Sequence, residues 1–147
     1  MEAETLNPYL DWKRPTHPHD RELSFGLVVA AYWHKHGQLP PNADSYPFDA
    51  WAAIHRACPA ELDDLKSLVW KKTVELAASF REWHTVFRLN ILNEKAVGLA
   101  VEKMAECLRS EPYPAVEDWQ TLFEATSERH GAIRAEALTK IAERLKL

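Results

Sequence analysis

A stripe of apolar residues at helical spacing runs through the middle of the chain. Its members stand three, four or seven positions apart, as on one face of an α-helix; they are Leu62, Leu65, Val69, Leu76, Phe80, Trp83 and Phe87. Because no Gly and no further Pro follows Pro59 in this segment, we predict one helix over residues 59–90, with Pro59 as its first residue. Such a helix is about 45 Å long. It exceeds the width of a domain of this size, so it must bend or project.

The same helical period recurs on both sides of this segment. Asp20 is a predicted N-cap, and the first helix should continue to Trp33 and end at Gly37 in the left-handed conformation, with prolines just beyond. A short helix after Tyr46 and Pro47 should bury one face, which comprises Phe48, Trp51, Ile54 or His55, and Cys58. Further helices are predicted after Asn93, and no segment alternates as a strand does.

The sequence therefore predicts an all-α protein. We expect a single bundle-like domain of about five to six helices over residues 20–147. Residues 1–19 contain Pro8, Pro15 and Pro18 and have no helical period, which predicts an extended N-terminal arm.

Composition agrees with a folded globular chain. Its 147 residues suit one domain, and 46% hydrophobic with 27% charged residues argue against disorder. The N-terminus lacks the basic and apolar regions of a secretory signal, and the most apolar run, Phe25 to Trp33, is well short of the ~20 residues that cross a bilayer. We expect a cytoplasmic protein of bacterial type without a membrane segment. Cys58 and Cys107 are far apart in sequence and should be free thiols.

Two pairs of histidines are the nearest approach to a metal-binding motif. They are His17 with His19 and His34 with His36, and Asp20 follows the first pair. Residues two positions apart on a helix point about 200° from each other, so His34 and His36 fit a helix terminus better than one shared ion. We therefore predict no metal and no cofactor.

The sequence HPHD nevertheless permits another interpretation. A His-Asp pair, here His19 and Asp20, occurs in all-helical metal-dependent phosphohydrolases, whose remaining ligands would have to come from His55 or His84 with an aspartate. The chain has no GxSxG, HExxH or P-loop motif, and its four glycines form no nucleotide-binding loop. We therefore expect a protein that is not an enzyme, with no catalytic residue, and keep an HD-like phosphohydrolase as a third hypothesis.

Charge and aromatic residues point instead to binding. From Lys66 to Arg88, within the predicted 59–90 helix and next to Trp70, five basic residues stand against only Glu75 and Glu82, whereas Glu111 to Glu128 is an acidic segment. Opposite charges on one small protein favour docking. Six tryptophans are many for a chain of this size, and Trp, Tyr and Arg dominate interface energetics. The candidate partner-binding residues are Tyr9, Trp12, Trp70, Lys71, Lys72, Arg81 and Arg88.

The leading functional prediction is a non-catalytic protein-binding domain, such as an adaptor, inhibitor, immunity or assembly subunit, and thus a regulator. Its partner would be another protein. The alternative is a small nucleic-acid-binding subunit that uses the basic face of the 59–90 helix, because basic residues with interleaved aromatics bind phosphate backbones and bases. The length of that helix also predicts a homodimer with Trp70 near the contact.

Overall fold

The structure, a computed structural model, describes residues 10–12 and 25–147. Within these residues it contains α-helices, short 3₁₀ helices and turns, and no strand. The seven α-helices are α1 (Phe25–His36), α2 (Phe48–Ala57), α3 (Asp63–Leu76), α4 (Phe80–Leu89), α5 (Glu94–Ser110), α6 (Val116–Ala125) and α7 (Gly131–Leu145). The predicted all-α, bundle-like fold is confirmed. None of the described helices has the length and apolar character required to cross a membrane.

The helices form two compact units. The first comprises Met1–Leu76 and the second Ala77–Leu147. In the first unit α2 packs against both α1 and α3; in the second, α5 packs against α4 and α6, and α6 against α7. A single domain over residues 20–147 stays a prediction. Asp20 as an N-cap and most of the 1–19 arm lie outside the described residues.

The prediction of one helix over 59–90 is wrong. Pro59 precedes a turn in which the Leu62 amide donates to the Pro59 carbonyl at 3.1 Å, and α3 begins only at Asp63. The helix then ends at Leu76, because Ser79 starts a new one. The Ser79 hydroxyl accepts a hydrogen bond from the Glu82 amide at 3.1 Å, and the Glu82 carboxylate accepts from the Ser79 amide at 3.2 Å. This reciprocal capping box begins α4. The segment therefore contributes two helices, and the described residues contain seven α-helices where five to six were predicted.

The first unit is held together by close packing of α1 on α2. A Cβ atom added at Gly26 would lie 2.2 Å from the Ala53 carbonyl oxygen, so only glycine permits this approach. Around the contact, Val29 and Ile54 are completely buried. The predicted inner face of α2 is confirmed, since Phe48, Trp51, Ile54, His55 and Cys58 are all buried.

The predicted end of the first helix is also confirmed. Gly37 has φ +70°, and its amide donates to the Trp33 carbonyl at 2.7 Å. These are the left-handed conformation and the 5→1 hydrogen bond of a helix C-terminus.

A short part of the N-terminal segment belongs to the core of the first unit, which the sequence did not reveal. Leu10 is buried, and its carbonyl accepts hydrogen bonds from the Tyr46 hydroxyl at 2.7 Å and from the Asn42 side-chain amide at 2.9 Å. Two donors on one carbonyl fix this residue against the loop between α1 and α2.

The second unit is built around α5. Val101, Met104 and Ala105 are completely buried on this helix, at the three- and four-residue spacing of a core-facing stripe. Trp83 and Val86 on α4, and Trp119 and Leu122 on α6, are the large buried residues of the neighbouring helices.

Candidate functional site

The predicted partner-binding residues are divided between the two units. Trp70, Lys71 and Lys72 are on α3 in the first unit, and Arg81 and Arg88 are on α4 in the second. The predicted nucleic-acid surface assumed one continuous 59–90 helix with a single basic face. Because that helix is interrupted, the two lysines lie on α3 in the first unit, whereas the two arginines lie on α4 in the second unit.

The two described tryptophans of the predicted set pack against aromatic neighbours. Trp12 meets Phe25 edge to face, with ring centroids 5.1 Å apart, and stays 36% exposed. Trp70 is half-buried and its ring lies 5.9 Å from that of His55. Tyr9 lies outside the described residues.

The histidines do not form a metal site in the described part of the chain. His34 and His36 are exposed, and His36 lies against the ring of Tyr32 with centroids 4.3 Å apart. No group of three or more His, Cys, Asp or Glu residues within 10–12 and 25–147 is arranged to hold an ion. His17, His19 and Asp20 lie outside the described residues.

His55 is the one strongly perturbed histidine in the described part of the first unit. Burial lowers its pKa to about 4, and the charges of Lys66 and Arg56 act in the same direction. The ring is therefore neutral near pH 7 and serves as a packing group against Trp70 rather than as a cation.

A row of three aromatic rings runs along α4. The ring of His84 lies between those of Phe80 and Phe87, at centroid distances of 6.4 Å and 6.0 Å and interplanar angles of 4° and 14°. All three side chains are half-buried. The core-facing side of the same helix is made by Trp83 and Val86, so the aromatic row borders the surface of the unit.

The row continues into the turn that connects α4 to α5. Ile91 is 62% exposed and Leu92 is 97% exposed. The turn is fixed at both ends, because the Asn93 amide donates to the Asn90 carbonyl at 2.8 Å and the Asn93 side chain accepts from the Ala96 amide at 3.2 Å. The exposure of these two aliphatic side chains is therefore a property of a hydrogen-bonded turn. We call Phe80, His84, Phe87, Ile91 and Leu92 the α4 strip.

A groove of about 300 Å³ lies next to the α4 strip. Its apolar wall consists of Phe87, Ile91, Val97 and Ala125, and its polar wall of Glu94, Ser127, Arg129 and His130. Arg129 and Glu94 form an ion pair of 2.5 Å with exposed side chains. The groove thus has one apolar wall and one wall of polar and charged groups.

One long edge of the aromatic row carries two arginines. Arg81 and Arg88 are exposed on α4, seven positions apart and therefore on the same side of the helix. Glu82 offsets part of this charge, because its Oε2 atom lies 4.0 Å from the Arg81 guanidinium. Its Oε1 atom accepts hydrogen bonds from the Ala78 and Ser79 amides. Burial and the charge of Arg88 lower the pKa of His84, whereas Glu124 on α6 raises it.

A larger groove of about 560 Å³ in the same unit is less suited to binding. Arg109 forks onto the Glu136 carboxylate with bonds of 2.6 to 3.1 Å, and Arg144 donates to the Pro114 carbonyl. Tyr113 is 90% exposed on its rim. Because both arginines of its lining are already engaged, Arg109 by a carboxylate and Arg144 by a backbone carbonyl, a ligand that used them would have to compete with these contacts.

Sequence reasoning identified Arg81 and Arg88 but missed the α4 strip. Phe80 and Phe87 were assigned to a core-facing stripe, and Ile91 and Leu92 were not singled out. A signal was present, because Phe80, His84, Phe87 and Ile91 follow one another at spacings of four, three and four, parallel to the core-facing pair Trp83 and Val86. Comparison of the chain with protein-family models, curated proteins and solved structures found no match.

Proposed function

We propose that this chain is a non-catalytic protein-binding protein and that its partner docks on the α4 strip. The observation that carries the proposal is the turn at Ile91 and Leu92, where two consecutive aliphatic side chains are exposed and Ile91 belongs to the apolar wall of the groove. Single exposed leucines are ordinary on protein surfaces. Two consecutive exposed aliphatic side chains on an ordered turn, next to the apolar wall of a groove, instead favour an interaction site.

The energetics favour a partner over an empty strip. Burying one large aliphatic side chain contributes roughly 1.5–3 kcal/mol, and Leu92 is almost completely exposed in the isolated chain. The turn is already ordered by Asn90 and Asn93, so docking would sacrifice little backbone entropy. Interface cores of this kind combine pre-ordered apolar anchors with a polar rim. The protein would act by occupying or linking its partner, in the cytoplasm, as an adaptor, inhibitor, immunity or assembly subunit.

The test is capture of partners with two matched double variants. Ile91→Glu with Leu92→Glu places two charges on the strip, and Leu145→Glu with Leu147→Glu makes the same change at exposed leucines of the C-terminus. Each protein is immobilised and exposed to an extract of the source cells, and retained proteins are quantified by mass spectrometry. We expect the wild type and the C-terminal variant to retain the same partner, and the strip variant to lose it.

The captured partner is then purified and its affinity for the three proteins is measured by calorimetry. Loss of binding on the strip variant alone supports the proposal, provided that all three proteins have the same circular dichroism. A retained protein set that does not differ between the wild type and the strip variant would overturn it, and so would failure of the wild type to retain any specific protein.

A further inference from the structure

We infer that the groove next to the α4 strip binds a free α-amino acid with a large apolar side chain, of the size and shape of leucine. The apolar wall receives the side chain, Glu94 the ammonium group and Arg129 the carboxylate. The inference goes beyond the proposed function and does not rest on it, because a small ligand in the groove requires no partner protein.

The size and lining of the groove determine the class of ligand. The groove has a volume of about 300 Å³, at the lower end of the range of ligand pockets, so it suits a ligand as small as an amino acid. Its apolar wall consists of Phe87, Ile91, Val97 and Ala125. An apolar side chain placed against this wall is removed from water, which a small ligand such as alanine cannot exploit.

The polar wall carries one charge of each sign, and both are already paired. Arg129 Nη1 lies 2.5 Å from Glu94 Oε2, so the pair as a whole is neutral. A ligand with only a carboxylate would engage Arg129 and leave Glu94 beside a second anion, and a ligand with only an ammonium group would do the reverse. A zwitterion that enters between the two exchanges one ion pair for two. Charge complementarity therefore favours a ligand with both groups.

This pair is easier to open than the ion pair of the larger groove. The side chains of Arg129 and Glu94 are 69% and 75% exposed, whereas those of Arg109 and Glu136 are 49% and 26% exposed. Ion pairs between well-exposed side chains contribute little to stability. Separation of Glu94 from Arg129 by a ligand therefore sacrifices little.

His130 supplies a second donor for the carboxylate. Its Nδ1 atom accepts a hydrogen bond from the Ser127 amide at 3.3 Å, so the neutral ring carries its proton on Nε2. The ring is half-buried and belongs to the same wall as Arg129. The polar wall thus combines a cation and an N–H donor for the carboxylate with an anion for the ammonium group.

The test is a titration of the full chain with leucine and with three analogues that each lack one recognised group. The analogue 4-methylpentanoate lacks the ammonium group, 3-methylbutylamine lacks the carboxylate, and alanine lacks the large apolar side chain. Methyl NMR spectra follow the signals of Ile91 and Val97, which line the groove. We expect leucine to shift these signals along a saturable curve, and each analogue to bind about tenfold more weakly or worse, because one group of the site is left without its partner.

Two double variants test the charged residues. Glu94→Gln with Arg129→Gln removes the ion pair of the groove, and Lys103→Gln with Glu106→Gln removes another exposed ion pair of the second unit. Neither double variant changes the net charge. We expect the first variant to lose about tenfold in leucine affinity and the second to bind leucine as the wild type does, with unchanged circular dichroism in both.

Three results would overturn the inference, and two of them need no variant. The first is a wild-type protein whose Ile91 and Val97 signals stay in place up to about 10 mM leucine, a concentration that largely fills a site of millimolar affinity. The second is 4-methylpentanoate or 3-methylbutylamine binding as tightly as leucine, because the site would then not recognise both charges. The third is a Glu94/Arg129 variant that keeps the wild-type affinity for leucine.

Discussion

Replacing Gly26 by alanine tests the contact on which the first unit depends. The added Cβ would lie 2.2 Å from the Ala53 carbonyl oxygen, whereas ordinary van der Waals contacts begin at 3.4 Å. The shortfall is 3.4 − 2.2 = 1.2 Å. The nearest three atoms, on Ala53 and Ile54, all belong to the backbone of α2, so no side-chain rotation can relieve the clash. The two helices must move apart, which loosens the packing of Val29 and Ile54.

The expected loss follows from two opposing terms. Overpacking in a well-packed core costs about 1–3 kcal/mol, and a backbone clash belongs at the upper end of that range. Alanine in place of glycine recovers at most about 1 kcal/mol of helix propensity. We therefore expect Gly26→Ala to lower the free energy of unfolding by about 2 kcal/mol.

The matched control is Gly98→Ala. Gly98 is inside α5, and a Cβ atom there would meet nothing within 4 Å. The same substitution should therefore stabilise the protein by about 0.5–1 kcal/mol through helix propensity alone. Urea unfolding followed by circular dichroism at the helical band measures both variants. Equal effects of the two substitutions, or a Gly26→Ala protein as stable as the wild type, would refute the packing argument.

Three further predictions concern a turn, a cap and a buried histidine. Gly37→Val should lower the free energy of unfolding by about 1–2 kcal/mol, because a β-branched residue resists the left-handed conformation. Thermal melting should show a much smaller loss of stability for His34→Gln with His36→Gln. Equal losses would contradict the assigned helix ending. Ser79→Ala should lower the free energy of unfolding by about 1 kcal/mol, because α4 loses its cap. An unchanged midpoint in urea unfolding would contradict this prediction. Burial lowers the pKa of His55 from 6.5 to about 4, so the unfolded chain binds more protons between these values. The free energy of unfolding should fall by roughly 2 kcal/mol, after solvent screening, as pH drops through that window; His55→Gln should flatten the slope, and a variant with the wild-type slope would contradict the assignment.

The parts of the fold that the sequence predicted are those determined by local chemistry. Gly37 ends α1 because few other residues adopt its φ, and the inner face of α2 follows from the helical period of Phe48, Trp51 and Ile54. The burial of Leu10 was not predictable in this way. It depends on hydrogen bonds from two side chains, Asn42 and Tyr46, that are distant in sequence. No local sequence pattern predicts these contacts.

The sequence contains a local signal for the interruption of the predicted 59–90 helix, but the regular apolar spacing favoured a continuous helix. Ser79 and Glu82 have the S-x-x-E spacing of a capping box. The apolar stripe continues across these residues without a change of period, so periodicity alone predicts one helix where the structure has α3 and α4. Gly and Pro are the usual markers of a helix end, and neither occurs here. A capping box between two strongly periodic segments is a boundary in its own right.

The same interruption explains why the candidate site was only partly predictable. In a single long helix, Phe80 and Phe87 share the stripe that begins at Leu62 and should be core residues. In the shorter α4, the buried side is centred on Trp83 and Val86, because these are the residues that meet the other helices of the second unit. Phe80 and Phe87 then flank the core and border the surface. Periodicity locates an apolar row but does not reveal which of two adjacent rows a short helix buries.

The cap at Ser79 and the α4 strip are therefore physically connected. Because Ser79 and Glu82 begin a new helix, α4 packs with α5 in the second unit. Glu82 serves both the cap and the surface, because its Oε1 atom accepts from the Ala78 and Ser79 amides and its Oε2 atom lies 4.0 Å from the Arg81 guanidinium. One local motif thus starts the helix and, by starting it there, lets Trp83 and Val86 form its buried side while Phe80, His84 and Phe87 border the surface.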